Sequence, residues 1–160
     1  MSELGDAIRD HLMRVLDWED AHVGFDKAMA DLPAQAWGIR PPGFDHSAWE
    51  LLEHIRIAQD DILDFCLNAK YQHTRSWPDD YWPKTPAPRS DKEWSDSIAA
   101  YAKARARLQQ IAREVEDLTA TVPTGTGAQT YLRALLLTAD HTAYHVGQLI
   151  AVRRALGVWG

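Results

Sequence analysis

Pro78, Pro83, Pro86 and Pro88 crowd into one short segment of a chain that otherwise reads as helix. Proline locks φ and has no N–H to give, so no helix runs through residues 70–89. The segment also lacks the alternation of a strand. A structureless loop of about twenty residues is uncommon inside a compact domain. The simplest explanation is topological: a crossover that runs the length of a bundle, so that the helices on either side of it lie parallel. Trp77, Tyr81 and Trp82 would pin such a crossover to the bundle surface, because a disordered linker would hardly hold three aromatics.

Helical signals fill the rest. Ser2 can cap a first helix from about Glu3 to about Ala30, whose stripe is Ile8, Leu12, Val15, Trp18, His22, Phe25 and Met29. Gly24 weakens that helix without breaking it. Pro33 and then Arg40-Pro41-Pro42-Gly43 end it. Ser47-Ala48-Trp49-Glu50 is a capping box opening a second helix that runs to about Ala69. Ser90-Asp91-Lys92-Glu93 is another, opening a third helix to about Glu116 with Trp94, Ile98, Tyr101, Leu108 and Ile111 on its core face. Thr124-Gly125-Thr126-Gly127 is a turn without the glycine spacing of a phosphate loop. A fourth helix spans about Thr130 to about Leu156, and Gly157 stops it. These signals predict an all-α fold: a single domain over residues 1–160, a four-helix bundle in up-down-down-up order.

Composition narrows the partners. The formal net charge of -6 argues against a nucleic-acid backbone, which wants a basic face. Cys66 is the single cysteine, so an internal disulfide and a Cys-rich zinc site are excluded, and a reducing compartment fits. The N-terminal residues lack the basic and apolar regions of a signal peptide, and no uncharged apolar run reaches spanning length. The expected setting is the cytoplasm, with no membrane partner.

The chemistry concentrates in Asp140-His141-Thr142-Ala143-Tyr144-His145-Val146-Gly147-Gln148. On a helix, His141, His145 and Gln148 stand at i, i+4 and i+7 on one face, bordered by Leu137, Leu149 and Val152, so that face points toward a core. Two imidazoles one turn apart can ligate one divalent metal. Taken alone, such a pair is more ordinarily two core histidines bonded to carbonyls or carboxylates. A third ligand decides between these readings. His54 lies on the inward arc of the second helix, about 9–10 Å from its start at 1.5 Å per residue, while His145 lies roughly 17 Å from the end of the fourth. In up-down-down-up order these levels meet near one mouth of the bundle. Three neutral imidazoles suit Zn, Ni, Cu or Fe and leave a coordination position open.

The stretch from Asp140 to Gln148, followed by Arg153-Arg154-Ala155-Leu156-Gly157, resembles the last-helix signature of the DinB/YfiT-like superfamily of metal-dependent enzymes, with its His-x3-His-x2-Gln pattern. Ser47 to Ile55 is similar to that superfamily's second-helix segment, which carries the remaining histidine. The family is named for damage-inducible genes and is distinct from the translesion polymerase. The resemblance implies a bundle of the predicted order, a divalent metal (nickel or zinc in different members) on His54, His141 and His145, and a homodimer. It places Gln148 beside the ligands or in a structural role. Some relatives transfer low-molecular-weight thiols such as bacillithiol or mycothiol, so a small-molecule substrate is implied.

A metal on neutral imidazoles would need a proton acceptor nearby. Glu19, His22 and Asp26 approach the same end from the first helix, and Tyr101 from the third. His22 is the first choice as catalytic base, because an imidazole titrates near 6.5; a plain core histidine is its equal rival. Cys66, some 18 Å along the helix from His54, is neither ligand nor nucleophile. The expected activity is a metal-dependent hydrolase or thiol S-transferase. The alternative is a non-catalytic, stress-related binding or dimerisation module whose metal is structural or vestigial.

Overall fold

The computed structural model describes residues 3–160, and five α-helices carry its fold: α1 Glu3–Val15, α2 Phe25–Met29, α3 Ala48–Leu67, α4 Asp91–Glu114 and α5 Tyr131–Ala155. Single 3-10 turns lie at Ala34–Ala36 and Asp79–Tyr81. Among the described residues there is no strand, only one isolated bridge between Thr121 and Thr130. Among the described residues no helix is long and apolar enough to cross a membrane. The capping role expected of Ser2 falls outside the described residues.

The caps explain where the long helices start. Ser47 Oγ accepts from the Glu50 N–H while the Glu50 carboxylate accepts from the Ser47 N–H at 2.8 Å, completing the capping box of α3. A cap of this kind contributes about 1 kcal/mol. Burial opposes ionisation of Glu50, yet the Arg40 guanidinium and the Ser47 N–H hold its carboxyl below the usual range. At α4 only half of the expected box forms. Ser90 Oγ accepts from the Glu93 N–H, but the Glu93 carboxylate turns to the backbone and guanidinium of Arg89 instead of Ser90. Thr130 caps α5, and Gly157, at φ +70, ends it in the left-handed conformation.

The single first helix is not formed. The chain breaks after Val15 and resumes at Phe25, with Gly24 as an extended N-cap at ψ 176. Asp17, Glu19 and Asp20 are the physical reason: acids at a helix C-terminus oppose its dipole. Arg14 ties Asp20 back across the turn at 3.0 Å, and the Glu19 side chain lies where a Cβ on Gly24 would sit, 2.8 Å away. The break lets the two pieces serve different parts of the core. Leu12 of α1, with Leu16, packs with Cys66, Leu108, Ile111 and Leu135; Phe25 and Met29 of α2 pack with Trp49, Leu52, Ile55, Tyr101, Val146 and Leu149. α3 packs against both α4 and α5, α1 against α4, and α2 against α5. Leu137, expected on the inward face of α5, is 40% exposed.

The proline-rich segment is held to the helices at several points. Tyr81 is buried and donates its hydroxyl to Asp61 at 2.6 Å. Ser47 Oγ donates to the Pro86 carbonyl. Gly38 passes so near that a Cβ there would meet Ala87 at 2.3 Å, which only glycine permits. Trp77 remains 67% exposed, touching the buried Tyr81 ring edge-on at 5.2 Å.

Candidate metal centre

Helix α3 presents His54 two turns after its cap, and α5 presents His141 and His145 one turn apart. Their ring centroids are 4.8 Å (His54 and His141), 4.4 Å (His54 and His145) and 4.5 Å (His141 and His145) apart. One nitrogen from each ring lies within 4.8 Å of the other two, a group that could hold a metal ion. His54 and His145 are buried and His141 is half-buried.

The outer hydrogen bonds fix which nitrogen each ring turns inward. His54 Nδ1 lies 2.9 Å from the Tyr81 carbonyl oxygen, which can only accept, so Nδ1 carries the proton. His145 Nδ1 lies 2.7 Å from Gln148 Oε1, which likewise only accepts. Both rings therefore keep an Nε2 lone pair free for the centre. His54 Nε2 and His141 Nε2 stand 3.1 Å apart. Two nitrogens on one tetrahedral metal at ~2.0–2.1 Å would stand roughly 3.3 Å apart, so this pair is spaced to share one ion. A carbonyl or carboxamide on the far nitrogen is the usual way such ligands are oriented.

Electrostatics keep the set neutral. Burial first, then the neighbouring His145 and His54, push the His141 imidazolium down to about 4. Burial pushes His145 to about 4 as well; the bond to Gln148 opposes this, and His54 and His46 add to it. His54 is lowered by burial against the pull of the Tyr81 carbonyl. All three rings are thus neutral at neutral pH, the form that ligates.

The proline-rich segment supplies what the spacing argument missed. Trp82 stacks on His54 at 3.9 Å and 4°, and on its other face carries His46 at 3.8 Å and 14°. The ring of His54 is thus clamped between its carbonyl bond and an indole. Tyr144, 64% exposed, meets His145 edge-on at 4.8 Å. The three aromatics among prolines were the only signal that this segment had a role; that Tyr81 would offer its carbonyl was not readable.

The remaining expected residues lie elsewhere. His22 sits in the break between α1 and α2, exposed, with Nδ1 3.0 Å from the Val23 carbonyl oxygen. It lines a hollow that none of the three imidazoles lines. Tyr101 is buried against Phe25 and lines the same hollow. Glu19 is exposed, and Asp26 pairs with Arg105 at 2.8 Å. Cys66 is buried among apolar side chains, which push its thiol up to about 12.

The family model described as DinB superfamily matches residues 17–149, a span that includes all three histidines and Gln148. A search of curated proteins finds no match.

Proposed function

The chain belongs to the DinB superfamily, and from that premise we propose that it binds one divalent metal, nickel or zinc, through His54, His141 and His145 and uses it on a small-molecule substrate. The observation that carries this reading is the convergence of three neutral imidazoles, two with their far nitrogens already committed to acceptors. The reading takes the chain as one domain, a four-helix bundle in up-down-down-up order with residues 70–89 crossing its length. Homodimeric assembly in the cytoplasm belongs to it as well, on the family's resemblance.

With three ligands a fourth position stays open, where a divalent cation lowers the pKa of a water or thiol toward neutrality. The chain's part is to hold the imidazoles at fixed tautomers through Tyr81 and Gln148, and to wall the centre with Trp82. The reaction class that follows is hydrolysis or S-transfer from a low-molecular-weight thiol. The rival is a structural metal in a non-catalytic binding module, and one observation favours it: His22, the expected base, lines a different hollow.

The test is turnover by the nickel- or zinc-loaded protein. Bacillithiol, mycothiol and glutathione would be offered with 1-chloro-2,4-dinitrobenzene, and p-nitrophenyl acetate would be offered for hydrolysis. Metal-dependent turnover that disappears in His54→Ala supports the enzyme. A loaded protein inert to every pair supports the structural metal.

A further inference from the structure

The carbonyl that orients His54 belongs to a residue whose side chain is tied back to the same helix. Tyr81 is buried; its hydroxyl donates to Asp61 at 2.6 Å, while its backbone carbonyl oxygen lies 2.9 Å from His54 Nδ1. His54 and Asp61 stand seven residues apart on α3, two turns along one face and roughly 10.5 Å at 1.5 Å per residue. One tyrosine therefore bridges two levels of α3, fixed by its side chain at one and by its main chain at the other.

The stretch between those two bonds is stiff. Tyr81 closes the 3-10 turn Asp79–Tyr81, where its N–H donates to the Pro78 carbonyl at 3.1 Å, and the Asp80 carboxylate accepts from the Ser76 N–H at 2.8 Å. Trp77 meets the Tyr81 ring edge-on at 5.2 Å, and the Arg75 guanidinium covers it at 5.8 Å. A shift of the hydroxyl is thus passed on to the carbonyl. Asp61, half-buried, gathers further donors from the same segment: the Tyr71 hydroxyl lies 3.2 Å from both of its oxygens, and Arg75 Nε lies 3.8 Å away. An ionised carboxylate only accepts, and it has room for several such bonds. Among the described residues, Asp61 makes no hydrogen bond to His54, His141 or His145.

We propose that Asp61 is a positioning residue of the metal centre: by holding the Tyr81 hydroxyl it sets the Tyr81 carbonyl against His54 Nδ1, and so keeps the His54 Nε2 lone pair turned to the ion. The group that orients the ligand has, in Asp61, a group that orients it in turn. The effect on metal rests on His54 being a ligand, as proposed above; the effect on the His54 ring does not. If Asp61 merely fastened residues 71–81 to α3, losing any of its donors would cost stability and leave the ring unchanged.

The test reads zinc affinity by competition with a chromophoric chelator, and the protonation of each His54 ring nitrogen by two-bond 15N–1H spectra of the metal-free protein. Asp61→Ala should weaken zinc binding roughly 10-fold, the low end for an outer partner, and leave His54 in a mixture of tautomers. Asp61→Asn retains an accepting oxygen and should recover most of both. Tyr81→Phe keeps the carbonyl and loses only the hydroxyl. It should repeat the effect of Asp61→Ala, add nothing to it in the double variant, and stand in for it should Asp61→Ala fail to fold. Tyr71→Phe removes another donor to the same carboxylate, from a residue that bonds none of the three imidazoles, and should lower Tm at parent affinity. Parent affinity with a single His54 tautomer in folded Asp61→Ala and Tyr81→Phe would overturn the proposal, as would an equal loss of affinity in Tyr71→Phe. If the parent takes up no zinc, the metal reading fails on its own, and the ring spectra alone decide the role of Asp61.

Discussion

His54 Nε2 and His141 Nε2 face each other across 3.1 Å, from positions 87 residues apart in the chain. On His54 the proton is committed to the Tyr81 carbonyl, so the nitrogen facing His141 is a bare lone pair. With the His145 Nδ1 proton likewise committed to Gln148, His54 and His145 both keep an Nε2 lone pair, and His141 Nε2 can donate to that of His54 while no ion is bound. A divalent cation would satisfy all three at once.

Gln148 should therefore matter without touching the metal. Gln148→Leu removes the acceptor that orients His145, and such outer partners typically contribute 10- to 100-fold in metal affinity. Competition with a chromophoric chelator would read that loss. Affinity equal to the parent protein would show that His145 is oriented by something else.

The depressed imidazoles predict how the metal-free protein responds to acid. His141 and His145 titrate at about 4 in the fold and near 6.5 when unfolded. Between these values the unfolded chain binds more protons, so stability falls as pH drops from about 6.5 toward 4 and is insensitive to these groups above pH 7. Urea midpoints taken across that window for the parent and for a His141→Gln, His145→Gln double variant would separate their part from that of the carboxylates. The variant's curve should be the flatter one.

Much of this site was legible because it rests on local rules. The Ser47–Glu50 box sets the start of α3 and so the level of His54, and helical spacing alone aligns His141, His145 and Gln148. The break in the expected long first helix was not legible: the apolar stripe continues through Trp18 and His22, and only the acids at 17, 19 and 20 argue for the stop. The residues that hold the rings, the Tyr81 carbonyl and the Trp82 indole, come from a segment with no periodicity, where the prolines tell what is forbidden and nothing about what is built. Glu93 likewise had two acceptable backbone partners in sequence, and took Arg89.

Arg153 was read only as part of a family motif, yet it ties distant pieces together. Its guanidinium is buried and donates to the carbonyl oxygens of Ala28 at 2.6 Å, Ala30 at 2.8 Å and Val158 at 3.0 Å. Arg153→Met strands these acceptors and should cost about 3 kcal/mol, roughly 6–12 °C in Tm. Arg153→Lys should recover only part, because an ammonium cannot reproduce the planar fork. Thermal unfolding by circular dichroism would show it, with metal content unaffected by either change.

The central claim is that α3 and α5 share one metal. Elemental analysis of the protein purified without a histidine tag, beside its His54→Ala variant, addresses it most directly. The account predicts about one equivalent of nickel or zinc per chain in the parent and loss of that metal in the folded variant. No metal in the parent after reloading, or metal retained by the variant, would contradict it.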